Sequence, residues 1–190
     1  LLHVGGSKER KGLPHLLHAL DFMRESGELD RLGILLLVLG RVNEKYARLF
    51  PSLKEYFIEL PYVTEEVLPT IYRAADVLVM PSTSEGWGIA LIQALACGTP
   101  VIASQHVPSA LATEDLGVVC IEQETNSPRQ LAKSILTILN NESNETRDWS
   151  HIFSSLILNY SWENVARSHL ELYKKLRNEG SKSAVLLTAN

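Results

Sequence analysis

The chain has 190 residues, of which 45% are apolar and 21% are charged, and its formal net charge is −4. This composition is typical of a globular protein with one sizeable core, and it excludes a broad basic surface for nucleic acid. The longest uninterrupted apolar run, residues 34–39, is far shorter than the ~20 residues that a bilayer-spanning helix needs. Two cysteines, Cys97 and Cys120, make no disulfide framework, and we expect both to be small buried side chains.

Short apolar runs alternate with helical patterns along most of the chain. The runs predict six strands, at residues 1–4, 34–39, 57–60, 77–80, 101–103 and 118–121. The apolar spacing predicts helices at about 13–23, from 64, at 88–97, at 128–139 and from 162. Strands that are apolar on both faces are typical of parallel sheets covered by helices. The sequence therefore predicts an α/β fold, a Rossmann-like doubly wound parallel sheet of about six strands with helices on both faces.

The first candidate site is the turn Gly5–Gly12, which follows the first strand and precedes a helix. Ligands of such sheets bind beyond the carboxyl ends of the strands. Glycine lets a backbone approach a ligand closely, and Lys8, Arg10 and Lys11 add positive charge. From composition alone, this turn is either a phosphate site or a solvated charged turn.

The second candidate site is the turn Pro81–Gly88, again between a strand and a helix. Backbone N–H groups at the start of that helix can bind an anion such as a diphosphate. The Glu85 carboxylate can accept hydrogen bonds from hydroxyls. Alternatively, Glu85 only offsets the helix dipole, which requires no ligand.

Five segments, in order and spacing, resemble one family. They are residues 4–12, 68–77, 85–88 (EGWG), 94–104 (ALACGTPVIAS) and 160–166 (YSWENVA). Together they resemble the C-terminal, donor-binding domain of retaining glycosyltransferases with the GT-B fold, of the group 1 or family 4 type. The resemblance covers residues 1–177, which we predict to be one nucleotide-sugar-binding domain followed by a tail at 178–190. An N-terminal acceptor domain would then be missing from this piece.

The resemblance implies a role for individual residues. Lys11 would neutralise the diphosphate and Glu85 would bind hydroxyls of the transferred sugar, as the catalytic pair. No metal and no cofactor would be needed, because a fixed cation and helix N–H groups can stabilise the leaving diphosphate. The remaining donor-binding positions would be Gly5, Gly6, Arg10, Gly12, Gly86, Trp87, Gly88, Ile89, Ala90 and Gln93.

Three positions depart from the family pattern. Gln93 stands where a second Glu usually binds the ribose diol, and an amide oxygen can still accept there at a loss of about 1 kcal/mol. Gly6 replaces a frequent Arg, for which Arg10 or Lys8 could compensate. Ser109 replaces a common Glu, and we assign its loop no role. We expect His3, His15, His18 and His106 to lie on surfaces.

The function implied is transfer of a hexose from a nucleotide diphosphate sugar to a saccharide or lipid-linked acceptor with retention. We expect the isolated fragment to be inactive, and the parent enzyme to act in the cytoplasm, with the inner membrane face as a further location. Two alternatives stay open: a catalytically lapsed binding module, and a sugar-nucleotide epimerase or phosphorylase on the same architecture. Asn141 and Asn144 begin N-glycosylation patterns that we expect to be unused, since no secretory leader opens the sequence.

Overall fold

The computed structural model describes residues 1–116, 119–122, 127–140 and 148–187. The chain divides into two compact units, Leu1–Asp148 and Trp149–Asn190. The glycosylation patterns at Asn141 and Asn144 and the side chain of Cys120 lie outside the described residues.

The first unit is built on a sheet of six parallel strands, as predicted. In chain order the strands are β1 Leu2–Val4, β2 Leu36–Leu39, β3 Phe57–Leu60, β4 Leu78–Met80, β5 Val101–Ser104 and β6 Val119–Glu122. Their spatial order is β3-β2-β1-β4-β5-β6. This is the order of a doubly wound sheet, in which the winding reverses between β1 and β4.

Helices cover both faces of the sheet. In chain order they are α1 Leu13–Glu25, α2 Glu28–Leu32, α3 Glu44–Leu49, α4 Leu68–Arg73, α5 Ile89–Ala96, α6 Pro108–Ala112 and α7 Pro128–Leu139, with 3₁₀ turns at Glu9–Lys11, Pro51–Tyr56 and Glu114–Leu116. Strand residues alternate between the faces. Val38 and Val79 join the core beneath α1 and α7, while α5 contacts β4 and β5.

Local sequence explains the longer helices and the missed short ones. Helix α1 follows the buried stripe of leucines that predicted it, with Pro14 in its first turn, where proline is tolerated. Helix α4 begins at Leu68 rather than Thr64. Residues 65–67 form a preceding turn, in which the Thr64 carbonyl accepts the N–H groups of Val67 and Leu68. Helices α2, α3 and α6 have five or six residues, too few to show a helical period.

The second unit consists of α8, Trp149–Tyr160, and α9, Trp162–Leu187. The Asn164 amide donates to the carbonyls of Ile157 at 3.1 Å and Leu158 at 2.8 Å, which satisfies the free end of α8. Helix α8 was not predicted, although Ile152 and Leu156 have helical spacing. Helix α9 includes residues 178–187 of the predicted tail.

Candidate functional site

Both candidate turns lie at the same edge of the sheet, where β1 and β4 are neighbours. The Leu2 N–H donates to the Val77 carbonyl at 2.9 Å, and Leu2 pairs with Leu78. β4 ends at Met80, and the next residue is Pro81, which has no N–H to continue the ladder. A crevice at this reversal point is where doubly wound sheets bind ligands.

The Lys11–Glu85 cluster, which we define as Arg10, Lys11, Ser82 and Glu85, joins the two turns. The Lys11 ammonium donates to Glu85 Oε1 at 2.6 Å, and the Ser82 hydroxyl donates to the same oxygen at 2.9 Å. Arg10 Nη1 donates to Glu85 Oε2 at 3.0 Å and to the Ser84 carbonyl at 3.3 Å. The two side chains that the sequence analysis paired are therefore in direct contact, while their catalytic role remains a prediction.

The environment keeps Glu85 ionised. Its side chain is 6% exposed, against 15% for Lys11 and 51% for Arg10. Burial by itself raises the pKa of Glu85, but the hydrogen bonds from Lys11, Ser82 and Arg10 and the Lys11 charge together lower it below its usual value. The result is a carboxylate with two cations fixed beside it.

Glycines allow the two turns to interlock. A β-carbon on Gly12, at φ +71°, would lie 1.9 Å from the Pro81 carbonyl oxygen. A β-carbon on Gly5, at φ +122°, would lie 2.8 Å from Cγ of Lys11. The space beside these glycines is thus filled by Pro81 and by the Lys11 stem, so their lack of a side chain lets the turns pack and places the cation. Their role in donor binding remains a prediction.

In this structure the backbone leaves no room for a side chain at position 6. Gly6 has φ +60°, and a β-carbon there would lie 2.3 Å from the Arg41 carbonyl oxygen. The Gly6 N–H donates to the Leu39 carbonyl at 2.9 Å, which fixes the turn against the end of β2. Arg10, already on Glu85, is the second cation in the cluster, whereas Lys8 is exposed beside it.

The start of α5 offers an open surface. A β-carbon on Gly86 would meet nothing within 4 Å, and Trp87 and Ile89 are 39% and 59% exposed. Ala90 is half-buried in the first turn of the helix. Gly88, at φ +97°, precedes the helix and is buried. The backbone is accessible at Gly86, as binding of a sugar there would require.

Ser109, which received no role, supports this turn from behind. It is fully buried. Its N–H donates to the Trp87 carbonyl at 2.9 Å, and its hydroxyl donates to the Gly88 carbonyl at 3.1 Å. Similarly, the Ser104 hydroxyl donates to the Ser82 carbonyl. These serines gave no sequence signal, because their partners are distant in the chain.

Gln93 lies on the exposed side of α5, one helical turn beyond Ile89. Its Oε1 accepts a hydrogen bond from the Tyr72 hydroxyl at 3.0 Å. The amide oxygen that was expected to accept from a ribose is therefore engaged inside the protein.

The expectation that His3 is a surface residue is wrong. Its side chain is 1% exposed, because β1 is an inner strand with both faces covered. Nδ1 contacts the Val79 carbonyl at 3.1 Å, and Nε2 has no hydrogen-bond partner. Burial lowers the pKa of His3 to about 4, in the combined field of Lys11 and Glu85. A neutral imidazole thus lies near the cluster.

Within the described part of the chain, no group of three or more His, Cys, Asp or Glu side chains could hold a metal ion. Over the same residues, every helix is too short or too polar to cross a membrane. Metal independence and location remain expectations.

Comparison with known proteins identifies the family. The sequence model of the family described as Glycosyl transferases group 1 matches residues 1–151. This chain belongs to that family. A relative, the O-antigen chain mannosyltransferase B of Escherichia coli, is 29% identical over 181 residues, covering 92% of this chain and 45% of the relative. A D-inositol 3-phosphate glycosyltransferase of Pseudarthrobacter chlorophenolicus is 37% identical over 109 residues, 55% of this chain and 26% of that protein.

Solved structures agree on the fold of this group 1 domain. Anabaena Alr3699/HepE, solved in complex with UDP, superposes with a TM-score of 0.74 at 16% identity, covering 92% of this chain and 48% of that one. The sucrose-phosphate synthase of Thermosynechococcus elongatus superposes with a TM-score of 0.70 at 26% identity, covering 94% and 45%. The Rossmann-like GT-B architecture is therefore confirmed, and the chain spans about half the length of these matched proteins.

Proposed function

We propose that this chain is the donor-binding domain of a retaining hexosyltransferase that takes its hexose from a nucleotide diphosphate sugar. The observation that carries the proposal is the Lys11–Glu85 contact of 2.6 Å across the β1–β4 crevice. One cation and one carboxylate meet there beside the accessible first turn of a helix. A nucleotide sugar has groups that complement these. Its diphosphate can bind the cation and the helix N–H groups, and the hydroxyls of its sugar ring can donate to the carboxylate.

Lys11 would bind the diphosphate. An ammonium group has three N–H donors, and Glu85 Oε1 uses one of them. The N–H groups of Ile89 and Ala90, in the first turn of α5 where a helix supplies no acceptor, would bind the same anion. Charge that develops on the leaving diphosphate would then be stabilised by groups already in position, without a metal.

Glu85 would bind the transferred sugar. A carboxylate offers about four acceptor positions, and Lys11, Ser82 and Arg10 occupy three of them. The remaining position is on Oε2, where the exposed Arg10 is the partner most readily displaced. A sugar hydroxyl could take the open position on Oε2, or replace Arg10 there and leave that guanidinium for the diphosphate, in compensation for Gly6.

The relatives support a hexose donor. One is named a mannosyltransferase, and one neighbouring structure contains UDP. By analogy, the acceptor would be a saccharide or lipid-linked saccharide, bound with the help of an N-terminal domain, and transfer would proceed with retention. The parent enzyme would work in the cytoplasm or at the inner membrane face, and this domain alone would not turn over.

Calorimetric titration of the full-length enzyme with UDP-hexoses and GDP-hexoses tests the proposal. We expect saturable binding of at least one donor and its loss in Lys11→Met. The exposed Lys45→Met variant serves as the control for loss of a surface lysine. An absence of binding by both donor classes at millimolar concentration would contradict the proposal.

A lapsed binding module is the second candidate, and the engaged Gln93 oxygen favours it. The variant Gln93→Glu distinguishes an active transferase from a lapsed module. An active parent enzyme should keep or gain turnover in Gln93→Glu, whereas a lapsed one should stay inactive. An assay of the products, which distinguishes glycosyl transfer, epimerisation and phosphorolysis, separates a transferase from an epimerase or a phosphorylase.

A further inference from the structure

Arg41, in the loop after β2, is fixed by its backbone to the first turn of the site. The Ser7 N–H donates to the Arg41 carbonyl at 3.0 Å, and the Ser7 hydroxyl donates to the same oxygen at 3.4 Å. That hydroxyl also accepts the Asn43 N–H at 2.9 Å. The loop that carries Arg41 is therefore held against the turn that carries Lys11.

Arg41 and Lys11 flank the same pair of glycines. A β-carbon on Gly5 would lie 2.8 Å from Cγ of Lys11, and a β-carbon on Gly6 would lie 2.3 Å from the Arg41 carbonyl oxygen. The Lys11 stem thus packs against one glycine and the Arg41 backbone against the next. Because β2, β1 and β4 are neighbours in this order, Arg41 lies on the β2 side of the turn and Glu85 on its β4 side.

The guanidinium of Arg41 is exposed to solvent. Among the residues that the structure describes, it has no hydrogen-bond or ion-pair partner. Two carboxylates of the same region contact other groups: Glu59 accepts the Val42 N–H at 3.2 Å, and Glu44 pairs with Arg48 at 3.2 Å. An anion from solution can therefore reach the Arg41 guanidinium without first displacing a protein carboxylate.

The Lys11–Glu85 cluster alone does not balance the charge of a diphosphate. Its two cations and one carboxylate leave a single net positive charge. The nearby His3 adds none, because burial lowers its pKa to about 4 and keeps it neutral. The start of α5 contributes only about half an elementary charge. Both phosphates of a nucleotide diphosphate sugar are ionised at neutral pH, so a further cation would complete the balance, and guanidinium binds phosphate oxygens in pairs.

We propose that Arg41 is a further donor-binding residue, whose guanidinium binds the diphosphate from the β2 side while Lys11 binds it from the β1 side. This inference rests on the proposed function, in which the diphosphate lies at Lys11. A contact to phosphate is the same for every base and every sugar. Arg41 would therefore anchor the donor without selecting its base or its hexose.

Calorimetric titration of the full-length enzyme with the better-binding of UDP and GDP, and with its hexose derivative, measures the contribution of Arg41. Arg41→Gln should weaken the binding of both ligands by the same factor of about 10, the order expected for one hydrogen bond between charged groups. Arg41→Lys keeps the charge but loses the paired donors, so its loss should be smaller, at about threefold. The matched control is Arg48→Gln, whose guanidinium is 80% exposed on α3 and which should bind both ligands as the wild type does.

Inorganic pyrophosphate, which has no base, ribose or hexose, locates the contact on the ligand. Its affinity is measured by displacement of the bound nucleotide, and Arg41→Gln should weaken it by the same factor of about 10. The unfolding midpoint in denaturant should stay at the wild-type value, because the Arg41 side chain has no partner in the described structure to lose.

Wild-type affinity of Arg41→Gln for the nucleoside diphosphate, or an unchanged affinity for pyrophosphate, would overturn the inference while the proposed function stands. A lower unfolding midpoint in Arg41→Gln would assign the side chain a structural role and would overturn it as well. Failure of the wild type to bind either UDP or GDP would instead overturn the proposed function.

Discussion

The two acceptor groups on the β4–α5 segment, Glu85 and Gln93, are built very differently. Glu85 is charged, 6% exposed and held by three side-chain donors. Gln93 is neutral, exposed, and held at its oxygen by the Tyr72 hydroxyl. The sugar end of the proposed site is therefore preorganised by strong charge-assisted bonds, and the nucleoside end by a weaker neutral one.

This difference shows where the free energy of donor binding would come from. Hydrogen bonds to a charged group contribute about 1.5–3 kcal/mol, and neutral ones about 0.5–1.5 kcal/mol. Changes at the Glu85 end should consequently have large effects, and changes at the Gln93 end small ones.

The largest effect is expected from Glu85→Gln. The neutral amide releases Lys11 and loses the charged bond to the sugar, so turnover of the full-length enzyme should fall about 100- to 1000-fold. Glu28→Gln is the matched control, because Glu28 pairs with Arg31 at 2.6 Å on an exposed helix. Equal turnover in Glu85→Gln and Glu28→Gln would mean that the charge of Glu85 matters no more than that of a surface carboxylate, and the contrast with Gln93 would fail.

The next effect concerns His3 near the cluster. Its folded-state pKa of about 4 lies below the unfolded value of 6.5, so the unfolded chain binds the proton first and stability falls as pH drops between those values. Over this window the wild type should lose roughly 3 kcal/mol more than His3→Phe. Denaturant unfolding of both proteins from pH 7 to pH 4 measures it. Parallel stability curves would show that folding does not lower the pKa of His3.

Gly12→Ala tests the interlock that places Lys11. The added methyl group meets the Pro81 carbonyl, so this variant should be about 2–3 kcal/mol less stable than Gly27→Ala. Gly27 has a similar φ of +77° with nothing within 4 Å, and its substitution should cost only about 1–2 kcal/mol. The denaturant midpoints of Gly12→Ala and Gly27→Ala measure the difference. Identical midpoints would mean that the contact between the Gly12 turn and Pro81 contributes nothing to the free energy of unfolding.

The smallest effect is expected from Ser109→Ala, which removes one of two donors to the Gly88 carbonyl and leaves only the Leu91 N–H. We expect a loss of about 1 kcal/mol in the free energy of unfolding. Ser26→Ala, which removes an exposed hydroxyl that donates to Met23 at 3.0 Å, should change little. If the two losses are equal, Ser109 does not support the sugar-side turn.

The sequence predicted the sheet because its strands are buried on both faces and stand out as apolar runs. It also placed the turns that carry Lys11 and Glu85 at one edge of the sheet, since both turns follow strands, while the family resemblance paired the two side chains. It did not reveal Ser109 or Tyr72, whose partners lie 21 residues away and are chosen by packing. His3 was misjudged because a polar residue in a short strand gives no sign of which neighbours cover it.

The central claim is that Lys11 and Glu85 contact one donor molecule, at the diphosphate and the sugar respectively. The most direct test compares the affinities of the full-length wild type, Lys11→Met and Glu85→Gln for a nucleotide sugar and for its nucleoside diphosphate. We predict that Lys11→Met weakens binding of both ligands, whereas Glu85→Gln weakens only binding of the nucleotide sugar. Wild-type affinity of both variants for both ligands would contradict the account.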